Sequence, residues 1–366
     1  MKFSAQREAL LKPLQQVVGV VERRQTLPVL ANLLVVADDN RIVFTATDLE
    51  VEMVARMALK PETPGETTIP ARKFVDIVRA LPDGSKIDIS VGDNQVHVRS
   101  GRSRFTLSTL PATDFPVVED VGAVHAVDLD AEGLREAIER THFAMAHQDV
   151  RYYLNGLLLE LSDGLVRAVA TDAHRLALCD FKTELSVTDD VQIIVPRKGI
   201  HELLRLLGDV EETVRVEVGK NHIRVTFDTT VFTSKLIDGR FPDYQAVIPS
   251  GADKIVDVDR AGLREALQRA AILSSEKYKG VRLEITPGRL RIVAHNPEQE
   301  EAVEEMEVSY DGEELSVGFN VTYLLDALAA LEGETIQLRL VDENSGSLLV
   351  EPGNDRCRHV VMPLRL

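Results

Sequence analysis

With 366 residues, 44% apolar and 28% charged, the chain is too long for one ordinary core and too apolar to stay disordered, so two or three folded domains are expected. The net charge of −17 argues against a protein that coats nucleic acid over its whole surface, although where the charge lies matters more than its total. No run approaches the ~18 apolar residues of a membrane span, and the start, "MKFSAQREALLKPL", lacks a signal-peptide core.

In chain order, the first predicted element is a helix in "SAQREALLKPLQQVV", with Ser4 at its N-cap. Strands follow through "TATDLEVEMVARM", then a second helix in "PARKFVDIVRALPDG". A hairpin comes next in "KIDISVGDNQVHVRS", and a strand with an aromatic-proline stop in "FTLSTLPATDFP". The same order then begins again. Asp130 caps "DAEGLREAIERTHFAMA", followed by "VATDAHRLALCDF", "PRKGIHELLRLLGD", "VRVEVGKNHIRVTF" and "FTSKLIDGRFPDY". A third round opens with Asp259 and "DRAGLREALQRAAILSS". It continues through "VAHNPEQEEAVEEM", "FNVTYLLDALAALEG" and "TIQLRLVDENSGSLLVEP", and stops at "HVVMPLRL", short of a Phe-Pro. Thr47, Thr171 and His295 fall 124 residues apart, and Leu81, Leu206 and Leu331 fall 125 apart. The expectation is an α+β protein of three tandem repeats, residues 1–124, 125–251 and 252–366, each with two helices packed on antiparallel sheets.

The two cysteines, Cys179 and Cys357, offer neither a disulfide framework nor a metal spacing. Both are expected as reduced, buried thiols in the cytosol. The apolar C-terminus has two readings: the last strand of a sheet pinned into a core, or a binding-site wall made by Met362, Pro363 and Leu364.

Charge is unevenly spread. Four of the six predicted helical segments carry +2 and the others −2 and −1, so the helices are net basic in an acidic molecule. Such helices either tolerate Lys and Arg on a solvated face or line one electropositive surface that touches phosphates without reading sequence. The dense points are Arg23-Arg24, Arg72-Lys73, Arg197-Lys198 and Lys277 with Lys279. Tyr152 and Tyr153, beside Gln148 and Arg151, could stack on exposed bases, or one of them faces the core. The first repeat ends in a basic strand, Arg99 to Phe105, and the third carries an acidic run, Glu298 to Glu307. Complementary ends suit a head-to-tail contact between subunits, with Ile272 and Leu273 as its apolar anchor and Phe105 opposite.

Catalysis is not expected. His142 and His147 lie on different helix faces, and "TDAH" at Thr171–His174 has no nucleophile elbow, P-loop or GxGxxG beside it. Its counterparts, "TDLE" and "HNPE", keep a turn shape rather than a chemistry. No cofactor and no metal is expected.

On "REALLKPLQQV", "TLPVLANLL", "TDLEVEMVARM", "SGRSRFTLSTLPATDFP", "AHQDVRYYLNG", "PRKG", "FTSKLIDGRFPDY", "NPEQEEA" and "VVMPLRL", the chain resembles, end to end, the bacterial sliding clamps, the beta subunits of DNA polymerase III. The resemblance implies the DNA clamp fold and a head-to-tail homodimer closed into a ring around double-stranded DNA, bound without sequence specificity, with single-stranded template as a further contact. It implies a cytoplasmic, nucleoid-associated processivity factor that catalyses nothing and is opened by a clamp-loader complex. DNA contacts fall on Arg24, Arg72, Gln148, Tyr152 and Tyr153. The dimer interface falls on Lys73, Arg102, Arg104 and Phe105 at one end, and on Ile272, Leu273, Glu300, Glu301 and Glu304 at the other. A cleft for peptides resembling Gln-Leu-x-Leu-Phe, carried by the polymerase alpha subunit, the loader, other polymerases and repair proteins, falls on Leu154, Thr171, His174, Arg175, Leu176, Pro242, Val247, Val360, Met362, Pro363 and Leu364. Glu22, Arg23 and Ala173 stand where glycines are found in the family.

Overall fold

The structure, a computed structural model, describes residues 1–22, 27–92, 94–118, 121–184, 190–208, 210 and 212–365. Among them are six α-helices: α1 (Arg7–Val18), α2 (Ala71–Ala80), α3 (Ala131–Glu139), α4 (Arg197–Leu207), α5 (Arg260–Ala271) and α6 (Val321–Ala330). The chain packs into two compact units, residues 1–132 with 198–236, and residues 133–197 with 237–366. These units do not follow the repeats, because each holds an antiparallel sheet of eight strands drawn from two successive repeats.

In the first unit that sheet runs Gly65–Pro70, Asn32–Asp38, Arg41–Thr47, Val51–Ala58, Thr230–Lys235, His222–Thr226, Thr213–Val218 and His125–Asp130. The repeats join where Val51–Ala58 pairs with Thr230–Lys235, with Met53 opposite Phe232. A four-stranded sheet, Lys2–Gln6, Lys86–Gly92, Gln95–Ser100 and Ser103–Ser108, completes the unit. Helices α1 and α2 bury Leu10, Leu14, Val17, Phe74 and Val78, each worth about 1.5–3 kcal/mol in water-excluded area. Ser4 is not the cap expected of it. It lies in the strand Lys2–Gln6, opposite Asp88, and donates to that carboxylate at 2.6 Å. The ladder to Lys86–Gly92 claims these residues, and α1 starts only at Arg7. Asp259 does cap α5, its carboxylate accepting from Gly262 N at 2.5 Å.

In the second unit the eight strands run Val191–Pro196, Gly156–Ser162, Leu165–Thr171, Arg175–Lys182, Asn354–Val361, Ser347–Glu351, Thr335–Leu340 and Lys254–Asp259. The four-stranded sheet is Glu301–Glu307, Arg289–His295, Gly280–Thr286 and Leu315–Asn320. Alternation along the strands sorts two cores. Leu338, Leu349 and Val361 pack with α5 and α6, while Leu158, Val169, Leu176, Leu178, Leu348 and Val360 form a separate cluster on the other face. The chain's last strand therefore sits inside a sheet. Beyond it, Met362 N donates to His174 O at 2.9 Å and Leu364 N to Gly318 O at 2.8 Å. Cys179 and Cys357 stand directly opposite each other where Arg175–Lys182 meets Asn354–Val361, their Cα atoms 4.1 Å apart, and are joined as a disulfide rather than left as the two thiols expected. Among the described residues no helix is long and apolar enough to cross a membrane.

Candidate functional site

The sheet face that carries the Leu158–Val360 cluster also carries a cleft of about 250 Å3. Its floor is Leu176 and Val360, opposed across the seam between Arg175–Lys182 and Asn354–Val361. One wall comes from the 3-10 turn Tyr152–Asn155, through Tyr153 and Leu154. A second comes from the segment 236–248, through Pro242, Tyr244 and Val247. Met362 closes a third side. The lining is mostly apolar, and Met362 adds an adaptable thioether.

Of the residues expected here, Leu154, Thr171, Arg175, Leu176, Pro242, Val247, Val360 and Met362 come together. His174 lines a different, polar cavity with His147, Asp149, Asp172 and Arg197. Pro363 and Leu364 run on past the wall, half-buried. Ala173, expected to trim the floor of the cleft, lies in the lining, and Arg151, Tyr153 and Tyr244 complete it, unanticipated there. Tyr153, expected among the DNA contacts, is half-buried; its ring packs on the cleft's core and meets Tyr152 edge-on, with centroids 5.9 Å apart, while Tyr152 is 57% exposed.

The "TDAH" stretch is a turn built from side-chain hydrogen bonds. Thr171 Oγ1 donates to Arg175 O at 2.6 Å and accepts from Ala173 N at 3.1 Å. Asp172 Oδ1 accepts from His174 N and Arg175 N at 2.9 and 3.0 Å. The first repeat builds the same turn with Thr47 and Asp48. Thr171 and Asp172 are thus occupied in shaping backbone. Arg175 is occupied too: it bonds Asp172 at 3.2 Å, Asp326 at 2.5 Å and Phe143 O at 2.7 Å, and its guanidinium lies 4.5 Å from the Tyr323 ring centroid. It fastens the turn to α6 and to the 3-10 turn His142–Ala144, so its contribution to the cleft is shape rather than free charge.

The loop before Tyr152 is also braced. Arg151 grips Asp149 through two side-chain bonds of 3.0 and 2.9 Å and holds that carboxyl at about 2, below its usual 3.8. This leaves Gln148 exposed at φ 57° and Val150 94% exposed. Arg72 is exposed, with one bond to Val21 O; Arg24 lies outside the described residues. Lys198, one of the dense basic points, is tied to Glu22 and Asp48. Part of the helical positive charge is therefore neutralised internally.

The expected interface residues lie on edge strands, in the turns leading into them and near the ends of helices. Ser103–Ser108 is the last strand of its four-stranded sheet, with Arg102 and Arg104 exposed and Phe105 half-buried, and Lys73 is exposed on α2. Glu301–Glu307 is likewise an edge strand. Ile272, just past α5, is 77% exposed and Leu273 half-buried. Glu304 turns toward α5, where Arg269 takes both its oxygens at 3.0 and 2.7 Å and lowers its pKa. Glu300 accepts from Asn296 Nδ2 at 2.6 Å, and Glu301 lies 3.6 Å from His295. Among the described residues no three His, Cys, Asp or Glu side chains converge in a way that could hold a metal ion.

Three tandem repeats, each a helix pair on antiparallel sheet, with an apolar cleft on one sheet face, define a protein of the DNA clamp class. Family models for the DNA polymerase III beta subunit match in order: the N-terminal domain over residues 1–119, the central domain over 128–243 and the C-terminal domain over 245–365. The chain belongs to this family. It is 57% identical to the beta sliding clamp of Pseudomonas putida and 49% identical to that of Escherichia coli K12, over the full length of both chains in each case. The crystal structure of the DNA polymerase III subunit beta from Pseudomonas aeruginosa superposes with a TM-score of 0.98 at 54% identity, again over both full chains.

Proposed function

We propose that this chain, with domains spanning 1–124, 125–251 and 252–366, works as a head-to-tail homodimer closed around duplex DNA. In this role it tethers the polymerase alpha subunit, the clamp loader and other polymerases and repair proteins through Gln-Leu-x-Leu-Phe-like peptides. A ring holds DNA by topology, so its inner surface needs only weak, sequence-blind contacts, and weak contacts permit sliding. Arg24, Arg72, Gln148, Tyr152 and Tyr153 are the proposed DNA contacts, with template single strand at the 148–153 loop. The net charge of −17 over the whole chain repels DNA from unproductive surfaces. Edge strands of opposite charge, Ser103–Ser108 and Glu301–Glu307, suit pairing between subunits. In the cell the reading puts the ring at the nucleoid during replication.

The observation that carries the tethering half is the apolar cleft floored by Leu176 and Val360 and walled by Met362. Its volume and lining suit the apolar side chains of a short extended peptide. Calorimetric titration of a Gln-Leu-x-Leu-Phe peptide into the intact protein, and into a form lacking Met362–Leu366, tests it. Binding to the intact chain alone, with both forms folded by circular dichroism, is the expected outcome. Equal binding to both, or binding to neither, removes the cleft from the account.

A further inference from the structure

The segment 236–248 supplies Pro242, Tyr244 and Val247 to the cleft, yet it lies outside every strand and contains only the short 3-10 turn Gln245–Val247. Beneath it, the cleft-side face of the sheet carries two kinds of row. One is apolar, with Ile194, Leu158, Val169 and Leu178 directly opposed from strand to strand. The next row, two residues along, is polar: Gln192 opposes Glu160, Glu160 opposes Arg167, and Arg167 opposes Asp180.

This polar row is internally bonded. Gln192 Nε2 donates to Glu160 Oε1 at 2.6 Å, Arg167 takes both oxygens of Asp180 at 2.6 and 2.9 Å, and Arg358 donates to Asp180 at 3.3 Å. Tyr244 spans the two rows. Its ring is buried in the apolar cluster and lines the cleft, while its hydroxyl donates to Glu160 Oε2 at 2.6 Å and accepts from Arg167 Nη1 at 3.0 Å. Three further groups on the segment, Ile237, Phe241 and Ile248, pack on the same cluster through apolar side chains.

We propose that Tyr244 is a positioning residue for the peptide cleft: the Glu160–Arg167 row fixes its hydroxyl, and that bond sets where Pro242 and Val247 stand. This rests on the peptide-binding reading above. Ile237 N donates to Ile194 O at 2.9 Å and ties the start of the segment to the sheet; beyond it the apolar contacts of Phe241 and Ile248 carry no direction, and the bond from Tyr244 to a braced carboxylate fixes the register of residues 241–248.

The test uses the full-length protein. Tyr244→Phe keeps the ring and removes the bond, and peptide affinity is expected to fall about tenfold, mainly through faster dissociation. Glu160→Gln keeps an acceptor and should stay near the parent. Glu160→Ala leaves the Arg167 bond in place and should fall part of the way towards Tyr244→Phe, and the double variant Tyr244→Phe with Glu160→Ala should be no worse than Tyr244→Phe alone. Hydrogen exchange of the amides at 241–248, measured without peptide, should rise in the Tyr244→Phe and Glu160→Ala proteins alone. Parent-like affinity and exchange in a folded Tyr244→Phe protein overturn the proposal, as does an additive double variant. A parent that binds no peptide defeats the peptide-binding reading instead, and the exchange data then decide the positioning of the segment by themselves.

Discussion

Leu49 and Ala173 hold the same left-handed backbone conformation, at φ 79° and 73°, in the same Thr-Asp turn of two successive repeats. Side chains with a Cβ pay about 1–2 kcal/mol there, which glycine avoids. Only Ala173 lines the cleft. Both Leu49→Gly and Ala173→Gly are therefore expected to raise stability, by about 0.5–1 kcal/mol after glycine's larger unfolded-state entropy is subtracted. Only Ala173→Gly should change peptide affinity, favouring peptides with a bulkier terminal aromatic. Urea unfolding of both variants and titration with Phe- and Trp-ending peptides check this. An unchanged Phe-to-Trp preference in Ala173→Gly would remove the methyl group as a specificity element.

Arg175 makes bonds to Asp172, Asp326 and Phe143 O and stacks on Tyr323, all through its planar guanidinium. A lysine keeps the charge but not the fork. Arg175→Lys is expected to lose about 1–3 kcal/mol of stability and to weaken peptide binding through a displaced turn. Because the arginine's charge is already matched by two carboxylates, the salt dependence of peptide binding should stay as in the parent. A variant whose peptide binding becomes less salt-sensitive shows instead that the guanidinium meets the ligand directly.

Much of this arrangement was legible before any coordinates. Hairpins such as Lys86–Gly92 with Gln95–Ser100 announce themselves by alternation around a turn, and the threefold repeat follows from spacing. What was not legible depends on partners distant in sequence. Ser4 looked like a cap because pairing with Asp88 is invisible locally. Cys179 and Cys357 are 178 residues apart, and only the register between two repeats brings them together. Tyr153 and Tyr244 joined the cleft for the same reason. Their ring positions follow from a 3-10 turn and from a segment laid across the sheet, neither of which has a period to read. His174 lines the neighbouring polar cavity, next to Ala173, whose backbone is left-handed at φ 73°.

His359 is fully buried between strands, stacked on Phe143 at 5.8 Å, and neither ring nitrogen has a hydrogen-bond partner among the described residues. Burial, with Arg140 nearby and Glu351 opposing it, pushes its pKa down to about 3 from 6.5. The folded protein thus holds the ring neutral, whereas the unfolded chain protonates it near 6.5. The stability is whole above pH 6.5 and falls as pH drops toward 3, by about 2 kcal/mol at pH 5 from this group alone. His359→Leu abolishes that loss and leaves no unsatisfied nitrogen. Chemical unfolding at pH 7.5 and pH 5 should show the variant gaining about 2 kcal/mol on the parent as pH falls. A difference that is the same at both pH values would rule out the buried neutral imidazole as its source.

Ile272 stands 77% exposed at the end of α5, with Leu273 half-buried behind it and the acidic edge strand Glu301–Glu307 in the same unit. A large aliphatic side chain at such exposure has a reason to be there if a second copy covers it. Burying each side chain at a subunit contact should contribute about 1.5–3 kcal/mol. Ile272→Ala with Leu273→Ala is then expected to weaken dimerisation by at least a hundredfold while leaving the fold of each subunit intact. Charge reversal at Arg104, paired with the opposite reversal at Glu301, should weaken the dimer singly and restore part of it together, more so at low salt. Sedimentation at nanomolar protein reads both. If the double-alanine protein stays a dimer there, the contact lies elsewhere on the chain, and the edge strands lose their assigned role in closing the ring.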